Sequence, residues 1–275
     1  MFKRILYPTD FSEVSRKALL ECVPSIATGA ELILLHVVDI TLAEMEAFQM
    51  SDVAEEELKK LAEALREKGI TVETIVRIGI PSLEIAEVAK EKDVDLVVVP
   101  SKGENILRQM FLGSTASNLV RATHRPVLLL RYEVEDGTLK ALQDCSTIFK
   151  RPLVALDFSE CSARVIEVVK ELPEVEEVIL AHVVDYGKVE KLEENIREAE
   201  RKLKEYAREL PWKTEVEVLA GIASRGIIGL ALTKNATVVV IGKRGRSVLR
   251  ELLLGSTAER IIRECRLPVL LVPCE

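Results

Sequence analysis

The chain has 275 residues, of which 48% are hydrophobic and 30% are charged, a balance typical of a soluble globular protein. Its formal net charge of −7 excludes a general nucleic-acid binder, and no apolar run approaches the roughly 20 residues that a membrane helix needs. The N-terminus enters a strand pattern directly, without the apolar region of a secretory signal.

The cysteines predict neither a metal site nor a disulfide framework. Their number is odd and no Cys-x-x-Cys pair occurs among them; they are Cys22, Cys145, Cys161, Cys265 and Cys274. Scattered cysteines of this kind are typical of a protein of the reducing cytoplasm. We therefore expect a cytoplasmic location, no disulfide and no structural zinc.

Strand and helix patterns alternate along the first half of the chain. Short apolar or alternating runs predict strands at 3–8, 31–38, 71–77, 95–99 and 127–131. Helical spacing and end signals predict helices at 12–28, 53–68, 82–91 and from 114 onward. Ser12 is the predicted N-cap of the first helix. The alternation predicts a parallel sheet with helices on both faces.

The same pattern returns one domain length later. YPTDFSE at 7–13 corresponds to VALDFSE at 154–160, LHVVD at 35–39 to AHVVD at 181–185, and FLGSTA at 111–116 to LLGSTA at 253–258. Solenoid repeats are only about 20–50 residues long, so a repeat of this length indicates a duplicated domain. We predict one domain at 1–132, a linker at 133–148 and a second domain at 149–275.

Open α/β sheets bind ligands at the carboxyl ends of their strands, and the loop after the fourth strand is the richest candidate. In the second copy it carries Gly242 and Gly245 and then, after nine intervening residues, Gly255, Ser256 and Thr257. Glycines let backbone N–H groups approach an anion, and a helix N-terminus favours phosphate. Three basic side chains of this loop add positive charge: Lys243, Arg244 and Arg246.

A simpler explanation is that these glycines only form turns and a helix cap. The glycine pair, its position at a strand end and the fixed distance to a Gly-Ser together favour phosphate binding instead. Neither a Walker A sequence nor a G-x-G-x-x-G motif is present, so the expected phosphate cradle has another design.

These motifs resemble those of the universal stress protein family, which the chain would carry as two tandem domains. The family's nucleotide-binding pattern is Gly-x-x-Gly, nine residues, then Gly-Ser or Gly-Thr, and the loop at 242–256 matches it. The resemblance implies an α/β fold of two tandem Rossmann-like (adenine nucleotide alpha hydrolase-like) domains. Each would be a five-stranded parallel sheet of order 3-2-1-4-5 with helices on both faces.

The resemblance also implies an adenine nucleotide, ATP or AMP, with Mg²⁺ or Mn²⁺ bound through its phosphates as an option. In the second domain it assigns the following residues to the nucleotide: Asp157, Val183, Gly242, Gly245, Gly255, Ser256 and Thr257. Asp157 and the backbone at Val183 would hold the adenosine, and the other residues the phosphate end. In the first domain it assigns Asp10, Val37, Gly103, Gly113, Ser114 and Thr115.

Each copy departs from the family pattern in a different place. Pro100 occupies the first glycine position of the first copy, whereas the strand-end loop at 7–10 is nearer the family's form than its equivalent at 154–157. Proline has no N–H and its φ is fixed near −65°. We therefore expect the first copy to bind more weakly than the second, even though Lys102 can supply charge.

His36 and His182 occupy equivalent strand positions and suggest a metal or a catalytic role. No cysteine or second histidine lies at ligand spacing, so a structural role is favoured. No Ser-His-Asp or Cys-His arrangement is evident, and no general base for phosphate hydrolysis stands out.

Three functions stay open at this point. The leading hypothesis is a nucleotide-binding stress-response or signalling module, and the alternatives are a slow ATPase or phosphotransferase and a ligand-free interaction scaffold. The apolar fifth strands at 127–130 and 269–272 are expected at the sheet edges, which are an aggregation hazard when exposed. We therefore predict that the two domains pair through these strands, and the tandem chains can further form a homodimer.

Overall fold

The computed structural model describes residues 1–40, 44–101, 113–185, 191–245 and 254–274, with the side chains of 44–49 left out. The chain divides into two compact units, Phe2–Ser146 and Thr147–Glu275. Among the described residues, none of the helices is both long and apolar enough to cross a membrane.

The first unit is a five-stranded parallel sheet with helices between its strands. Its strands are β1 (Arg4–Pro8), β2 (Glu31–Asp39), β3 (Thr71–Gly79), β4 (Leu96–Pro100) and β5 (Val127–Leu130). Its helices are α1 (Glu13–Glu21), α2 (Val23–Ile26), α3 (Glu44–Arg66), α4 (Pro81–Glu91) and α5 (Ser114–Ala122). The strand pairings give the order 3-2-1-4-5, which confirms the predicted topology.

A short antiparallel hairpin follows the fifth strand, formed by β6 (Tyr132–Glu135) and β7 (Thr138–Ala141). Asp136 and Gly137 form its turn, both with positive φ, as the Asp-Gly pair indicates.

The second unit repeats this architecture without a further hairpin in the described residues. Its strands are β8 (Pro152–Ala155), β9 (Glu177–Val184), β10 (Lys213–Ala220), β11 (Val238–Gly242) and β12 (Val269–Val272). Its helices are α6 (Glu160–Lys170), α7 (Leu192–Ala207), α8 (Ala223–Thr233) and α9 (Ser256–Glu264). The pairings again give five parallel strands in the order 3-2-1-4-5.

The core of each unit lies on both faces of its sheet. Leu96, Val97 and Val98 are fully buried in β4, as are their counterparts in β11. Strands covered on both faces read as unbroken apolar runs, which is why these segments show no alternation. Leu58 and Leu65 of α3 are fully buried and share the helix face that packs on the sheet.

The predicted helix at 12–28 is two helices. Ser12 caps α1, because its hydroxyl accepts a hydrogen bond from the Ser15 N–H at 3.2 Å. The break falls at Cys22, two residues before Pro24. Proline in a helix interior lacks a donor and collides with the carbonyl one turn earlier, so the first helix ends and a short one restarts.

The cysteine prediction is wrong, because four of the five cysteines form disulfides. Cys22 pairs with Cys145 inside the first unit, and Cys161 pairs with Cys274 inside the second, with Cα–Cα distances of 4.6 and 4.5 Å. These separations fit disulfide geometry. The partners are 123 and 113 residues apart in sequence, so only the folded sheet brings them together. Cys265 is buried.

The loop after the first strand has the same construction in both units. Phe11 and Phe158 adopt φ of 60°, a left-handed conformation that costs a side-chain-bearing residue about 1–2 kcal/mol. Each ring stacks on a histidine of the neighbouring strand, His36 or His182, at a centroid distance of 4.4 Å. Each ring also contacts a cation at 5.4 Å, from Arg16 in the first unit and Lys202 in the second.

The histidines also hold this loop by hydrogen bonds. His36 Nδ1 lies 2.8 Å from the Thr9 carbonyl oxygen, and His182 Nδ1 lies 2.7 Å from that of Leu156. A carbonyl can only accept, so Nδ1 carries the proton and donates. Both histidines therefore fasten the end of the first strand to the second strand, as the structural interpretation predicts.

Burial lowers the pKa of His36, although the Thr9 carbonyl and Asp10 act in the opposite direction. The unfolded chain, with an ordinary histidine pKa near 6.5, then binds more protons than the folded chain below that pH. The contribution of His36 to stability is therefore present above about pH 6.5 and is lost as the pH falls toward its folded pKa. We predict that His36→Asn, which keeps an N–H donor but does not titrate, reduces the loss of stability between pH 7.5 and pH 5.

Urea unfolding of the full chain, followed by circular dichroism at several pH values, measures this effect. His124→Asn is the control for losing a histidine, since His124 is exposed. An unfolding midpoint that depends on pH equally in His36→Asn and in the natural protein would contradict the prediction.

Candidate functional site

A cleft opens in the second unit at the carboxyl ends of β8, β9 and β11. All seven residues that the sequence singled out in this unit line it: Asp157, Val183, Gly242, Gly245, Gly255, Ser256 and Thr257. They come from four separate segments of the chain and meet because parallel strands end at one edge of the sheet. The structure thus brings together the complete predicted set.

One end of the cleft is apolar and the other is polar. Val165, Ile227 and Ile241 line it together with Val183. Gly226 of α8 lets this helix approach β9, since a Cβ there would lie 3.2 Å from Val183 Cγ2. The apolar end suits a flat ring, and the glycine-rich end suits an anion.

Two serines orient the carboxylate of Asp157. Its Oδ1 accepts hydrogen bonds from Ser159 N–H at 3.0 Å, from Ser159 Oγ at 2.6 Å and from Ser162 Oγ at 3.3 Å. Its Oδ2 faces Gly245, where a Cβ would lie only 2.7 Å from that oxygen. Glycine at 245 therefore allows the carboxylate and the glycine loop to stand side by side.

Gly255 has no conformational or steric reason to be glycine. It is the N-cap of α9 with φ −63°, a backbone open to any residue, and a Cβ there would make ordinary contact at 3.5 Å with the Lys243 carbonyl oxygen. N-caps favour serine, threonine, asparagine or aspartate over glycine. A Cβ at this position would rest against the backbone of residues 243–245, at the edge of the cleft.

The N-terminus of α9 forms the polar end of the cleft. Ser256 and Thr257 occupy its first turn, and no side chain caps it. The first N–H groups of a helix lack partners within the helix and carry the positive end of its dipole. Arg244 also lines the cleft and adds positive charge. Such an end favours a phosphate or another anion. Arg246 lies outside the described residues.

Gly242 has a different role from the one expected. The Val239 and Lys243 N–H groups donate to the Pro268 and Val272 carbonyls on the β12 side, at 2.9 and 2.7 Å. Because N–H groups alternate sides along a strand, that of Gly242 faces β8. It belongs to the sheet, and Gly242 has no positive φ.

The first unit places its predicted residues at the same edge of its own sheet. Asp10 follows β1, Val37 lies in β2, and Gly113 is the N-cap of α5, whose first residues are Ser114 and Thr115. Asp10 Oδ1 accepts from Ser12 N–H at 3.0 Å, as its counterpart does from Ser159. Gly103 and Lys102 lie outside the described residues.

Pro8 and Pro100 together shorten the pairing of β1 with β4, because both lack an N–H at this end of the ladder. The β8–β11 pairing reaches Ala155 and Ile241, but the equivalent β1–β4 pairing ends at Leu6 and Val97. The next residues nevertheless keep their bonds, since Gly113 N–H donates to the Ser101 carbonyl at 2.9 Å and Gly255 N–H to that of Lys243 at 3.0 Å.

Three residues of the second site were missed in the sequence. Phe158 sets the direction of the Asp157 loop, Ser162 holds the carboxylate, and Cys161 lines the cleft. The repeat contained a signal for the first two, because Phe11 and Ser15 stand at the matching positions. Cys161 has no counterpart, since Val14 occupies that position in the first copy.

Comparison with known proteins agrees with this architecture. The family model for the universal stress protein family matches residues 1–131 and again 149–273. The universal stress protein MJ0577 of Methanocaldococcus jannaschii is 31% identical over 156 residues, which span 48% of this chain and 96% of that protein. The universal stress protein YxiE of Bacillus subtilis is 35% identical over 148 residues, which span 48% of this chain and 100% of that protein.

A solved structure matches both units at once. The match to the crystal structure of a universal stress protein from Archaeoglobus fulgidus spans 99% of this chain and 98% of that protein. The TM-score is 0.74 and the sequence identity is 26%. Single-domain relatives match about half of the chain, as a duplication requires. The chain belongs to the universal stress protein family and carries the family's domain twice.

Proposed function

We propose that this protein binds an adenine nucleotide, ATP or AMP, in the cleft of its second domain, and that it acts as a stress-response or signalling module. The observation that carries the proposal is Gly255, a glycine whose backbone conformation and neighbours would admit a Cβ, at the N-terminus of α9, which no side chain caps. A ligand bound at the polar end of the cleft would explain why residue 255 has no side chain. The phosphates would then meet Gly255, Ser256 and Thr257, with Arg244 balancing their charge.

The adenosine part would occupy the apolar end of the same cleft. Asp157 is fixed by its two serines with one oxygen toward the glycine loop, a position suited to accept hydrogen bonds from ribose hydroxyls. Val183 lines the end where a base would lie. A Mg²⁺ or Mn²⁺ ion would be held through the phosphates, because no group of three or more His, Cys, Asp or Glu residues able to hold a metal occurs in the described part of the chain.

Purification without added nucleotide provides the first test. Nucleotide released on denaturation, identified by mass, or calorimetric binding of ATP or AMP to the stripped protein is the expected result. A protein that retains no nucleotide and gives no binding heat with either would favour the alternative of a ligand-free interaction scaffold.

The alternative of a slow ATPase or phosphotransferase predicts turnover. The cleft offers backbone amides and hydroxyls, which stabilise the charge of a phosphate. We expect bound ATP to stay intact over many hours with excess ATP and a divalent metal. Continuous release of phosphate would support the enzyme instead.

Two further expectations stay predictions. A cytoplasmic location no longer follows from the cysteines, although intracellular proteins of hyperthermophiles also contain disulfides.

Pairing of the domains through their apolar fifth strands, with homodimers of the tandem chain as a further option, follows from the edge hazard. Leu129→Lys and Leu271→Lys place a charge in these strands. We expect the two domains of each variant to separate or the protein to aggregate, as measured by light scattering. Unchanged monodisperse particles would contradict the pairing.

We predict that Gly255→Val abolishes binding at the second site, since its side chain would fill the phosphate end. Gly245→Ala should have a similar effect, because its Cβ would collide with Asp157 Oδ2. Losing charge-assisted hydrogen bonds costs about 1.5–3 kcal/mol, or roughly 10–100-fold in affinity. Calorimetry with ATP measures the loss.

Gly229→Ala is the matched control for these glycine variants. Gly229 lies in α8 with nothing within 4 Å of a Cβ, so the change should raise stability slightly and leave affinity unchanged. Natural affinity in a folded Gly255→Val protein would exclude this cleft as the phosphate site.

We also predict that the first domain binds more weakly than the second. Gly255→Val leaves only the first site, and Gly113→Val leaves only the second, so calorimetry of these two full-length variants separates the affinities. Adding Pro100→Gly to Gly255→Val should raise the ATP affinity of the first site by about two- to tenfold. The added N–H would lengthen the β1–β4 ladder and fix the Asp10 loop, and one hydrogen bond is worth roughly 0.5–1.5 kcal/mol.

Pro81→Gly controls for the loss of a proline, because Pro81 lies in the first turn of α4. Equal affinities of the two single-site variants, or no gain from Pro100→Gly, would show that the asymmetry has no effect on binding.

A further inference from the structure

The Cys161–Cys274 disulfide forms part of the wall of the nucleotide cleft. Cys161 is the second residue of α6, four residues after Asp157, and lines the cleft. Cys274 lies two residues beyond the end of β12. The disulfide therefore ties the helix that follows the Asp157 loop to the segment that leaves the edge strand.

The sulfur of Cys161 also supports the glycine loop. A Cβ on Gly242 would lie 3.0 Å from Cys161 Sγ, so the sulfur packs against the glycine itself. The same Sγ lies 4.0 Å from the carbonyl oxygen of Val272, the residue that pairs with Gly242 between β11 and β12. Any displacement of this sulfur changes the wall of the cleft where the glycine loop begins.

The two cysteine residues are not equally exposed. Cys161 is 4% exposed, whereas Cys274 is half-buried. An incoming thiolate therefore reaches Cys274, and Cys161 is the leaving group. Cys161 lies in the first turn of α6, where the helix dipole stabilises a thiolate and makes it a better leaving group.

We propose that the Cys161–Cys274 disulfide is a redox modification site for a small thiol, and that its reduction weakens nucleotide binding in the second domain. One thiolate of a dithiol attacks Cys274 Sγ, the S–S bond breaks, and its electron pair leaves on Cys161. The second thiol of the reagent then displaces Cys274 and closes its own disulfide. The protein gains two electrons, the dithiol loses two, and the two thiol protons pass to the protein sulfurs or to solvent.

Reduction weakens binding for two physical reasons. A Cys161 thiolate would add negative charge to the cleft that the proposed function assigns to phosphates, and like charges repel at short range. Breaking the bond also releases the segment at 273–274 from α6, so the sulfur under Gly242 is no longer fixed. Linkage requires the reverse effect as well, because a ligand that prefers the disulfide form protects it from reduction.

The second disulfide supplies the matched control. Cys22 terminates α1, at the opposite end of that helix from the Asp10 loop, and its partner Cys145 follows the hairpin of the first domain. Val14 replaces Cys161 in the first copy, so the first domain has no sulfur beside its own loop. Reduction of Cys22–Cys145 should leave the second site unaffected.

The test measures the ATP affinity of the full-length protein, prepared without reductant and again after treatment with dithiothreitol. We expect the Kd of the second site to rise at least fivefold on reduction, both in the natural protein and in the C22S/C145S variant. The C161S/C274S variant should show no dependence on dithiothreitol. Saturating ATP should also slow the appearance of alkylatable Cys161 and Cys274 thiols several-fold, as followed by mass spectrometry.

The possible outcomes separate this inference from the proposed function. Loss of ATP binding in every redox state would overturn both. Binding with Kd values within twofold in the oxidised and reduced natural protein would overturn the inference and leave the proposed function intact. A dependence on dithiothreitol that persists in C161S/C274S, or Cys161 and Cys274 found as thiols in the unreduced protein, would also overturn the inference. Should C161S/C274S fail to fold, the comparison of C22S/C145S in both states decides.

Discussion

The parallel pairing of the strands is the constraint on which the site depends. A parallel sheet points all its carboxyl ends to one edge, and each following helix begins there with N–H groups that lack partners within the helix. In the second domain this places the Asp157 loop, Val183 and the first turn of α9 around one cleft. Because both faces of the sheet are covered, the central strands are apolar, and most polar groups of the cleft come from the strand ends and the segments that follow them.

The loop after the first strand is held in a conformation that its sequence alone would not adopt. Phe158 has φ of 60°, and its cost is offset by the stacked His182 and by the hydrogen bond from that histidine to the Leu156 carbonyl. Ser159 and Ser162 then orient the Asp157 carboxylate from the other side. The strain and its compensation occur again at Phe11 and His36, so both copies retain the loop direction together with the histidine that holds it.

The sequence predicted most of this arrangement, because its signals were local or repeated. Apolar runs of strand length and capping residues such as Ser12 located the elements, and the duplication confirmed them against each other. The glycine pattern located the glycine-rich end of the cleft. Long-range features escaped prediction: the disulfides join residues more than a hundred positions apart, and the side of the sheet that the Gly242 N–H faces depends on strand register. Spacing along the chain carries no information about either.

The fold tolerates divergence between the copies because the two sides of the fourth strand pair with different strands, the first strand on one side and the fifth on the other. Proline within a sheet normally removes a ladder hydrogen bond. At position 100 the loss falls only on the side of β1, whereas Ser101 still donates to the Leu130 carbonyl at 2.8 Å, as Lys243 does to Val272. The edge pairing therefore survives, and the start of α5 keeps its place through the bond from Gly113 to Ser101. At three equivalent positions the second copy has Gly242, Lys243 and Cys161, and the first copy has Pro100, Ser101 and Val14. These differences change the chemistry at the strand ends while the sheet stays the same.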